Sequence, residues 1–383
     1  MSPLRDRQTL ARLVRVCAVG CLSALLLAAP LWVGPRGDIP RFPLTKAFLQ
    51  LEQPLFAALL VGLAALLLFP LRRSLLLFVC VCFSTLIAGD VMRLHPWVFQ
   101  CALLFGVSAW GLERTQEKGL LGFFALVVCG MYFWSGVSKL NYAFVAGEFP
   151  LLIGASSLSL APEFVAVAGL CAAVVEMVAG GLLLFGRAQR FAAFVLVGMH
   201  LFILIVLGPL GHNYNRVVWP WNVMMMGLLA LLYFRAEPAC VRWSFATPIL
   251  AGIVSLVVLL LPCARLVCDY PAYLSWDLYS GRVWKGNLEF ALEERDTLPE
   301  DLTSQAEIVD GKGIVSLGKY VEQHLGAPPW PERWAFTEIA RSICVRAGSP
   351  GSLRLILKPP APPLMGRPDG KDLSMGCDEL VLG

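Results

Sequence analysis

Charged residues are scarce in this chain: only 15% of its 383 residues are Asp, Glu, Lys or Arg, whereas a soluble domain typically carries about 25%. Histidine occurs only four times, and no CxxC pair or Cys/His set has the spacing of metal ligands. The chain also has no internal repeat and no low-complexity tract. These absences exclude an ordinary soluble protein, and we predict no metal site and no nucleic-acid partner.

Apolar residues make up 57% of the chain, and its mean hydropathy is +0.69. An α-helix needs about 20 residues to cross about 30 Å of hydrocarbon. Nine apolar runs are candidates, of which the third, fourth, seventh and eighth are short: 13–33, 54–71, 74–89, 97–112, 120–138, 164–185, 191–207, 222–234 and 244–261. We predict an all-α polytopic membrane bundle of about nine transmembrane helices in residues 1–266, surrounded by membrane lipids.

The basic residues near the ends of these runs indicate the orientation of the bundle. With nine spans they all fall on one side: Arg5, Arg7, Arg12, Arg15, Arg72, Arg73, Arg114, Lys118, Arg187, Arg190, Arg235 and Arg242. Basic loops favour the cytoplasmic side, so we predict a cytoplasmic N-terminus and an external segment after residue 261. The first run resembles a signal peptide at AAP (28–30), but Trp32 and Val33 extend it, which favours an uncleaved anchor.

The composition changes after residue 266, where charged, proline and turn residues replace the apolar runs. We predict that residues 267–383 form a small external α+β domain. Alternation in NLEFALEE and SLRLILK predicts strands, and the spacing in KYVEQHL and ERWAFTEIARSICVRA predicts helices. The closely spaced Pro and Gly residues of the tail, 361–383, predict a loop.

Most of the twelve cysteines lie inside predicted spans and are expected to be packing residues: Cys17, Cys21, Cys80, Cys82, Cys101, Cys129 and Cys171. The external side carries Cys263, Cys268, Cys344 and Cys377, which an oxidising compartment would allow to pair. The sequence does not indicate which of these four would be bonded.

Three ionisable residues lie within or at the end of predicted spans, where charge costs at least ~2.5 kcal/mol. Glu176 and His200 are near the middle of the sixth and seventh runs, and Lys139 closes the fifth. Asp90 and Arg93 lie at the edge of the third and fourth. Structural alternatives are a snorkelling Lys139, a Glu176 that holds two helices in register and a buried core histidine at His200.

Tyr132, Gly136 and Lys139 are spaced i, i+4 and i+7 and share one helical face, with Ser135 beside them. A small residue at Gly136 allows close approach of a neighbouring helix, and Gly180 and Gly181 of the sixth run offer the matching surface. We therefore predict that Lys139 and Glu176 lie close together. The amine, the carboxyl and the imidazole of His200 would then converge on one cavity.

A second polar stretch, GHNYNRVVWPWN (211–222), joins the seventh and eighth runs. Tryptophans at this position are typical of an interfacial belt, but the amide, imidazole and guanidinium groups suggest the lid of an external pocket. The candidate substrate-binding residues are therefore those of this stretch and of the fifth run: Tyr132, Trp134, Ser135, His212, Asn215, Arg216, Trp219 and Trp221.

Several short motifs resemble the membrane core of vitamin K-dependent gamma-carboxylases and their bacterial relatives, the horizontally transferred transmembrane (HTTM) proteins. They are GVSKL (136–140) after MYFW, EMVAGGLLLFGRAQR (176–190), His200 ten residues later, and DVMRLHPWVFQ (90–100). The resemblance covers about residues 70–235. It implies a bacterial inner-membrane protein with a periplasmic C-terminal domain.

The resemblance also implies roles for three residues. Lys139 corresponds to the lysine regarded as the base that deprotonates reduced vitamin K, and Glu176 and His200 correspond to an acidic residue and a histidine of the family core. The implied cofactor is a reduced quinone, and the implied activity is carboxylase-like or quinol-oxidising. The chain differs at Ile203, where the carboxylases have asparagine, and in its smaller external part, so another acceptor or loss of catalysis is an open alternative.

The order Gly-x-x-Lys-Leu, a mid-helix glutamate and a GHNYN turn also resembles the lipase maturation factors, which assist the folding of secreted lipases. This second resemblance implies a non-enzymatic assembly factor. Its C-terminal domain would bind a secreted client protein.

Overall fold

A computed structural model describes residues 3–114, 117–154, 160–235, 248–364 and 370–382. The helices of the N-terminal part are α1 Pro3–Leu27, α2 Glu52–Leu68, α3 Arg73–Gly89, α4 Pro96–Gly111, α5 Glu117–Ser138, α6 Pro162–Leu182, α7 Gln189–Leu207, α8 Val218–Tyr233 and α9 Pro248–Ser255. A 3-10 helix, Lys46–Leu51, leads into α2, and π and 3-10 turns extend α9 through Leu261–Leu266. Short helical turns also occur at Ala29–Val33, Phe144–Glu148 and Phe149–Leu152.

Within the described ranges, six helices are long and apolar enough to cross a membrane: Leu4–Leu27, Lys46–Leu68, Glu117–Ser138, Pro162–Leu182, Gln189–Leu207 and Ile249–Leu266. They identify the chain as an integral membrane protein. Helices α3, α4 and α8 are apolar but shorter, so the predicted count of nine spans is not shown. The run at 191–207 is longer than predicted, whereas Arg242 and the predicted start of the ninth span lie outside the described residues.

The bundle is built around α1 and α5. Leu10, Leu13, Val14 and Cys17 of α1 are buried at the i, i+3, i+4, i+7 spacing of one helical face. Helix α1 packs against α2, α5 and α8, and α5 packs against α6. Of the apolar span in α5, 78% is buried, compared with 33% in α6 and 28% in α7. Helices α6 and α7 therefore lie at the periphery and expose apolar side chains, as lipid-facing helices do.

Asp90 and Arg93 are part of a buried ion-pair cluster between α1, α2 and α3. The Asp90 carboxylate lies 2.5 Å from Arg36, and the Arg93 guanidinium lies 2.7 Å from Glu52. Arg93 also donates to the carbonyl of Trp32 at 2.9 Å. Because each of these four charges has a partner of opposite sign, this cluster fixes the helix ends to one another.

The C-terminal domain is a five-stranded antiparallel sheet in the order β2, β3, β1, β4, β5. Its elements are β1 Lys285–Ala291, β2 Glu307–Val309, β3 Lys312–Ser316, α10 Leu317–Leu325, α11 Arg333–Arg346, β4 Arg354–Lys358, β5 Leu373–Gly376 and α12 Cys377–Leu382, with short turns at Tyr273–Ser275, Leu292–Thr297 and Glu300–Thr303. Leu288 and Phe290 of β1 are buried and alternate with less buried residues. Helices α10 and α11 pack against β1.

The predicted helices at 319–325 and 332–347 and the predicted strands in NLEFALEE and SLRLILK are present, with ends that differ by up to three residues. The predicted loop at 361–383 is wrong in part, because β5 pairs with β4 and α12 follows it. Residues 365–369 of this stretch lie outside the described residues. The spacing of proline and glycine does not reveal such an edge strand, because its hydrogen bonds come from a strand that is distant in the sequence.

Two of the four candidate disulfide cysteines are bonded to each other. Cys344 of α11 and Cys377 of α12 are bonded, with their Cα atoms 5.4 Å apart. The other two candidates, Cys263 and Cys268, are free and exposed in the structure. They lie at the end of the α9 segment, where the Cys268 thiol contacts the carbonyl oxygen of Ala264 at 3.1 Å.

The C-terminal domain contacts one end of the bundle, which we call the domain end. A Cβ placed on Gly326, which follows α10, would lie 2.6 Å from the carbonyl oxygen of Leu27 at the end of α1. At the opposite end of the bundle, Asp6 of α1 is paired with Arg235, which follows α8. The N-terminus and the C-terminal domain therefore lie at opposite ends of the bundle.

Candidate functional site

Lys139 directly follows α5 at the domain end and forms an ion pair with Glu176 of α6. The Lys139 Nζ atom lies 2.8 Å from Glu176 Oε2, 2.6 Å from Ser135 Oγ and 3.3 Å from the Ser135 carbonyl oxygen. The side chains of Lys139 and Glu176 are 12% and 8% exposed. The three protons of the ammonium thus have three acceptors, and a ligand oxygen would displace the longest contact most easily.

The pair forms because α5 and α6 approach closely at two glycines. A Cβ on Gly136 would lie 2.3 Å from the backbone nitrogen of Met177, and a Cβ on Gly180 would lie 2.6 Å from that of Phe133. The two helix surfaces therefore approach closely at Gly136 and Gly180. Gly181 is different, since nothing lies within 4 Å of its Cβ position and it takes no part in the packing.

His200 of α7 lies between a phenol and an amide. Its Nε2 atom is 2.5 Å from the Tyr132 hydroxyl, and its Nδ1 atom is 2.5 Å from Asn222 Oδ1. Asn222 Nδ2 donates to the Val218 carbonyl at 2.6 Å, which turns the amide oxygen towards the imidazole. Nδ1 therefore carries the proton, and Nε2 accepts the Tyr132 hydrogen bond.

A cavity of about 580 Å³ lies between α5, α6, α7 and α8. The ion pair of Lys139 with Glu176 and the hydrogen-bonded group around His200 both lie on its wall. Its polar lining residues are Tyr132, Ser135, Lys139, Glu176, His200, Asn222 and Tyr279, and most other lining residues are apolar. We call it the bundle cavity. Its volume and apolar walls suit a small molecule with a hydrophobic body and a few polar atoms.

The bundle cavity reaches the lipid-facing surface of α6 and α7. Val175 of α6 and Phe202 of α7 line it and are 48% and 46% exposed. Cys171, one turn before Val175, is also exposed and lines the cavity. An apolar molecule dissolved in the bilayer would thus reach the cavity sideways, between these two helices.

The segment 276–282, which we call the strap, covers the domain end of the cavity. It links α9 to β1, and its Leu278 and Tyr279 line the cavity. Trp276 and Tyr279 have the left-handed φ values 58° and 51°. Such a backbone costs of order 1 kcal/mol per non-glycine residue, so the surrounding structure must hold the strap in place.

Buried polar contacts hold the strap. The Asn141 amide donates to the Ser280 carbonyl at 2.9 Å, and Arg265 donates to the Arg282 carbonyl at 2.6 Å. Ser280 also donates to the fully buried Asp277. Burial raises the pKa of Asp277, and the hydrogen bond from Ser280 and the charge of Arg265 oppose that rise.

The predicted lid at 211–222 is only partly at the site. Trp221 lines the cavity and donates to Gln100 Oε1 at 2.7 Å. Asn215 does not line it but donates to the Tyr279 hydroxyl at 2.7 Å. The exposed His212 contacts the Leu152 carbonyl at 2.9 Å, and Trp219 donates to the Leu207 carbonyl at 3.0 Å.

Arg216 and Trp134 also lie away from the cavity. Arg216 is exposed, and Trp134 packs edge-on against Phe133 on another face of α5. Neither residue lines the bundle cavity. In a helix that is apolar on all sides, the sequence does not show whether an aromatic residue such as Trp134 faces the cavity.

Two cavity residues, Asn222 and Tyr279, are missing from the predicted site. Asn222 is an amide within an apolar helix, the same signal that indicates Glu176 and His200, but the sequence predicts it as the first residue of a span, whereas the helix begins at Val218. Tyr279 has no such signal, because it comes from the strap after the last span. Among the described residues, no cluster of three or more His, Cys, Asp or Glu is arranged to bind a metal ion.

Glu322 of α10 connects the domain to this region. Its Oε1 atom accepts a hydrogen bond from the backbone N–H of Asn215. Burial raises the pKa of Glu322 to about 7, and Asn215, Arg216 and Tyr214 oppose the rise. Because the folded pKa exceeds the ordinary value of 4.5, Glu322 contributes most stability below about pH 4.5, and this contribution is lost as the pH rises through about 7.

We expect unfolding of the purified protein to be easier by about 2–3 kcal/mol at pH 8 than at pH 5 through this carboxyl alone. Glu322→Gln keeps an acceptor oxygen for Asn215 without a charge, so this variant should lose that part of the pH dependence. Thermal unfolding of both proteins across this pH range measures it. Parallel curves for the two proteins would contradict the assignment.

No protein-family model matches the chain, and neither the curated proteins nor the solved structures compared with it give a significant match. The geometry of the bundle cavity is therefore the basis for the function proposed next.

Proposed function

We propose that this protein is an integral membrane enzyme that binds a reduced quinone in the bundle cavity, with Lys139 as the base. The observation that carries the proposal is the position of Lys139, Glu176 and His200 on the wall of one apolar cavity that reaches the lipid-facing surface. Isoprenoid quinols are dissolved in the bilayer, so a sideways opening is the route they require. The resemblance to the gamma-carboxylase and HTTM core supports the same chemistry.

The residues of the cavity fit such a molecule. Val175, Phe202 and their neighbours provide an apolar surface for a ring and an isoprenoid tail, and the polar groups are confined to a few points on the wall. A bound quinol would supply a phenolic proton and reducing electrons. The walls would also exclude water from the ion pair, which strengthens every electrostatic contact within the site.

The ion pair supplies the base through an internal proton exchange. Transfer of one proton from the Lys139 ammonium to the Glu176 carboxylate, 2.8 Å away, leaves a neutral amine and a neutral acid. The amine accepts a phenolic proton, and Ser135 holds it in place through the 2.6 Å hydrogen bond. Glu176 is thus both the partner that positions Lys139 and the first proton acceptor.

His200 and Tyr132 form a second proton-handling group on the same wall. Since Asn222 fixes the proton on His200 Nδ1, Nε2 is free to accept a proton through the Tyr132 hydroxyl. This arrangement gives His200 a proton-transfer role that does not depend on a metal. Its amide partner comes from α8, whereas the carboxylases have asparagine at the position that corresponds to Ile203.

We further propose nine spans, with α3, α4 and α8 crossing the membrane as well, and a bacterial inner-membrane location. The basic residues Arg5, Arg73, Arg190 and Arg235 lie near helix ends that alternate with those at the domain end. The positive-inside rule then favours a cytoplasmic N-terminus and a periplasmic C-terminal domain. This side of the membrane is also oxidising, in agreement with the Cys344–Cys377 disulfide.

The test is consumption of a reduced short-chain naphthoquinol by purified protein in nanodiscs, followed by mass spectrometry under air. We expect wild-type protein to accelerate quinol consumption. The rate with Lys139→Met should be at least about 100-fold lower, because loss of a general base usually has an effect of this size. Lys118→Met, on the other side of the bundle, is the matched control and should keep the wild-type rate. Equal rates for Lys139→Met and wild type would exclude Lys139 as the base.

A second candidate is a non-enzymatic maturation factor that binds a secreted client protein through the C-terminal domain. The edge strand β2 favours it, because Ile308 and Val309 are 61% and 46% exposed beside an unpaired sheet edge. An extended client segment would add to this edge by β-strand pairing. Under this candidate the purified protein consumes no quinol, so the turnover measurement separates the two functions.

A further inference from the structure

The bundle cavity has one wall that does not come from the membrane helices. Leu278 and Tyr279 of the strap line it, together with residues of α5, α6, α7 and α8. The strap precedes β1 and is continuous with the C-terminal domain. The domain therefore contributes side chains to a site within the bundle.

The strap meets the cavity at the same end as the ion pair. Lys139 follows α5, and Asn141, two residues later, donates to the Ser280 carbonyl of the strap at 2.9 Å. Tyr132 lies seven residues earlier on α5, about 10 Å away along the helix axis at 1.5 Å per residue. The polar end of a ligand that reaches Lys139 therefore lies beneath the strap.

The Tyr279 hydroxyl has hydrogen-bonding capacity to spare. It accepts from Asn215 Nδ2 at 2.7 Å, and within the described residues it donates to no acceptor. A phenol is both a donor and an acceptor, so its proton is available to an oxygen atom in the cavity. Tyr279 has an unfavourable left-handed backbone conformation, and the structure keeps this conformation with the large tyrosine ring at the cavity.

We propose that Tyr279 is a ligand-binding residue, whose hydroxyl donates a hydrogen bond to an oxygen atom at the polar end of an amphiphilic molecule held in the bundle cavity. The inference rests on the proposed function in that a ligand occupies this cavity. It adds the recognition chemistry: an oxygen acceptor on the ligand, placed at the domain end. A quinone carbonyl or a quinol oxygen meets this requirement, whereas a plain hydrocarbon does not.

Asn215 of the predicted lid at 211–222 then has an indirect role in ligand binding. Asn215 does not touch the cavity, but its amide orients the Tyr279 hydroxyl, and its backbone N–H is bound by Glu322 of α10. Asn215 is thus a positioning residue. The C-terminal domain holds Tyr279 in the ligand site through this chain of contacts.

The test is the affinity of purified protein in nanodiscs for an oxidised naphthoquinone with two isoprene units, measured by equilibrium titration. Tyr279→Phe keeps the ring and the backbone conformation and removes only the hydroxyl. We expect its dissociation constant to rise about five- to tenfold, the usual effect of one lost hydrogen bond. Tyr142→Phe is the matched control, since Tyr142 is 50% exposed and lies outside the cavity, and should change it less than about twofold.

Asn215→Gly is a second variant, which suits the positive φ of 50° at this position. It should weaken binding by a smaller factor than Tyr279→Phe. Equal affinity of Tyr279→Phe and wild type overturns the assignment of Tyr279 and leaves the proposed function intact. If wild-type protein does not bind the naphthoquinone, the assignment of Tyr279 is overturned, whereas the proposed function is decided separately by the quinol-consumption measurement.

Discussion

Glu176→Leu is expected to destabilise the protein by about 3–5 kcal/mol, because it leaves the Lys139 ammonium inside the bundle without its carboxylate. Leucine fills a similar volume, so the loss of packing is small. The distance of 2.8 Å between the two charged groups and their low exposure make the pair the dominant contact of each side chain. Reversible unfolding of the detergent-solubilised protein measures the effect.

The double variant Lys139→Met/Glu176→Leu is the control. It removes both charges, so stability should return to within about 1–2 kcal/mol of wild type. This variant should be folded and still unable to consume quinol, which separates the stabilising role of the pair from its chemical role. If the double variant is as unstable as the single one, the two residues do not act as a pair.

Gly136→Ala is expected to cost at least about 3 kcal/mol, at the upper end of the usual effect of overpacking. The added Cβ would lie 2.3 Å from the backbone nitrogen of Met177, and a backbone atom has no alternative rotamer. Helices α5 and α6 must therefore separate. This separation lengthens the contact between Lys139 and Glu176, so quinol consumption should fall with stability.

Gly181→Ala is the matched control for this prediction. It introduces the same methyl group on α6 one residue from Gly180, but nothing lies within 4 Å of the position. Alanine also has the higher helix propensity, so this variant should be neutral or slightly more stable. Equal destabilisation by both substitutions would show that the close contact at Gly136 is not what holds α5 against α6.

The sequence predicts the proximity of Lys139 and Glu176, and the structure shows this pair. Two ionisable groups in neighbouring apolar runs must find partners inside the membrane, and Gly136 indicated which helix surfaces approach. The same reasoning does not predict Asn222 as the partner of His200, because the predicted span starts at residue 222, four residues after the start of α8 at Val218. A boundary error of one helical turn made an interior amide appear as the first residue of a span.

The residues of the 211–222 stretch show the opposite failure. Their polarity suggests that they bind the substrate directly, yet of the predicted substrate-binding residues in this stretch only Trp221 lines the cavity, and Asn215 contacts Tyr279 instead. A local cluster of polar residues indicates that polar partners are nearby. It does not show whether those partners belong to a ligand or to another segment of the protein.

The amino-acid sequence by itself determined that the chain enters a membrane and that a small α+β unit follows, because apolar runs of helix length and alternating strands are local patterns. The tertiary structure alone decided which helix faces meet, that Cys344 pairs with Cys377, and that Tyr279 closes the cavity from outside the bundle. These outcomes depend on contacts between residues far apart in the chain. No local periodicity encodes such contacts, since they are set by packing and by the geometry of the segments that connect the helices.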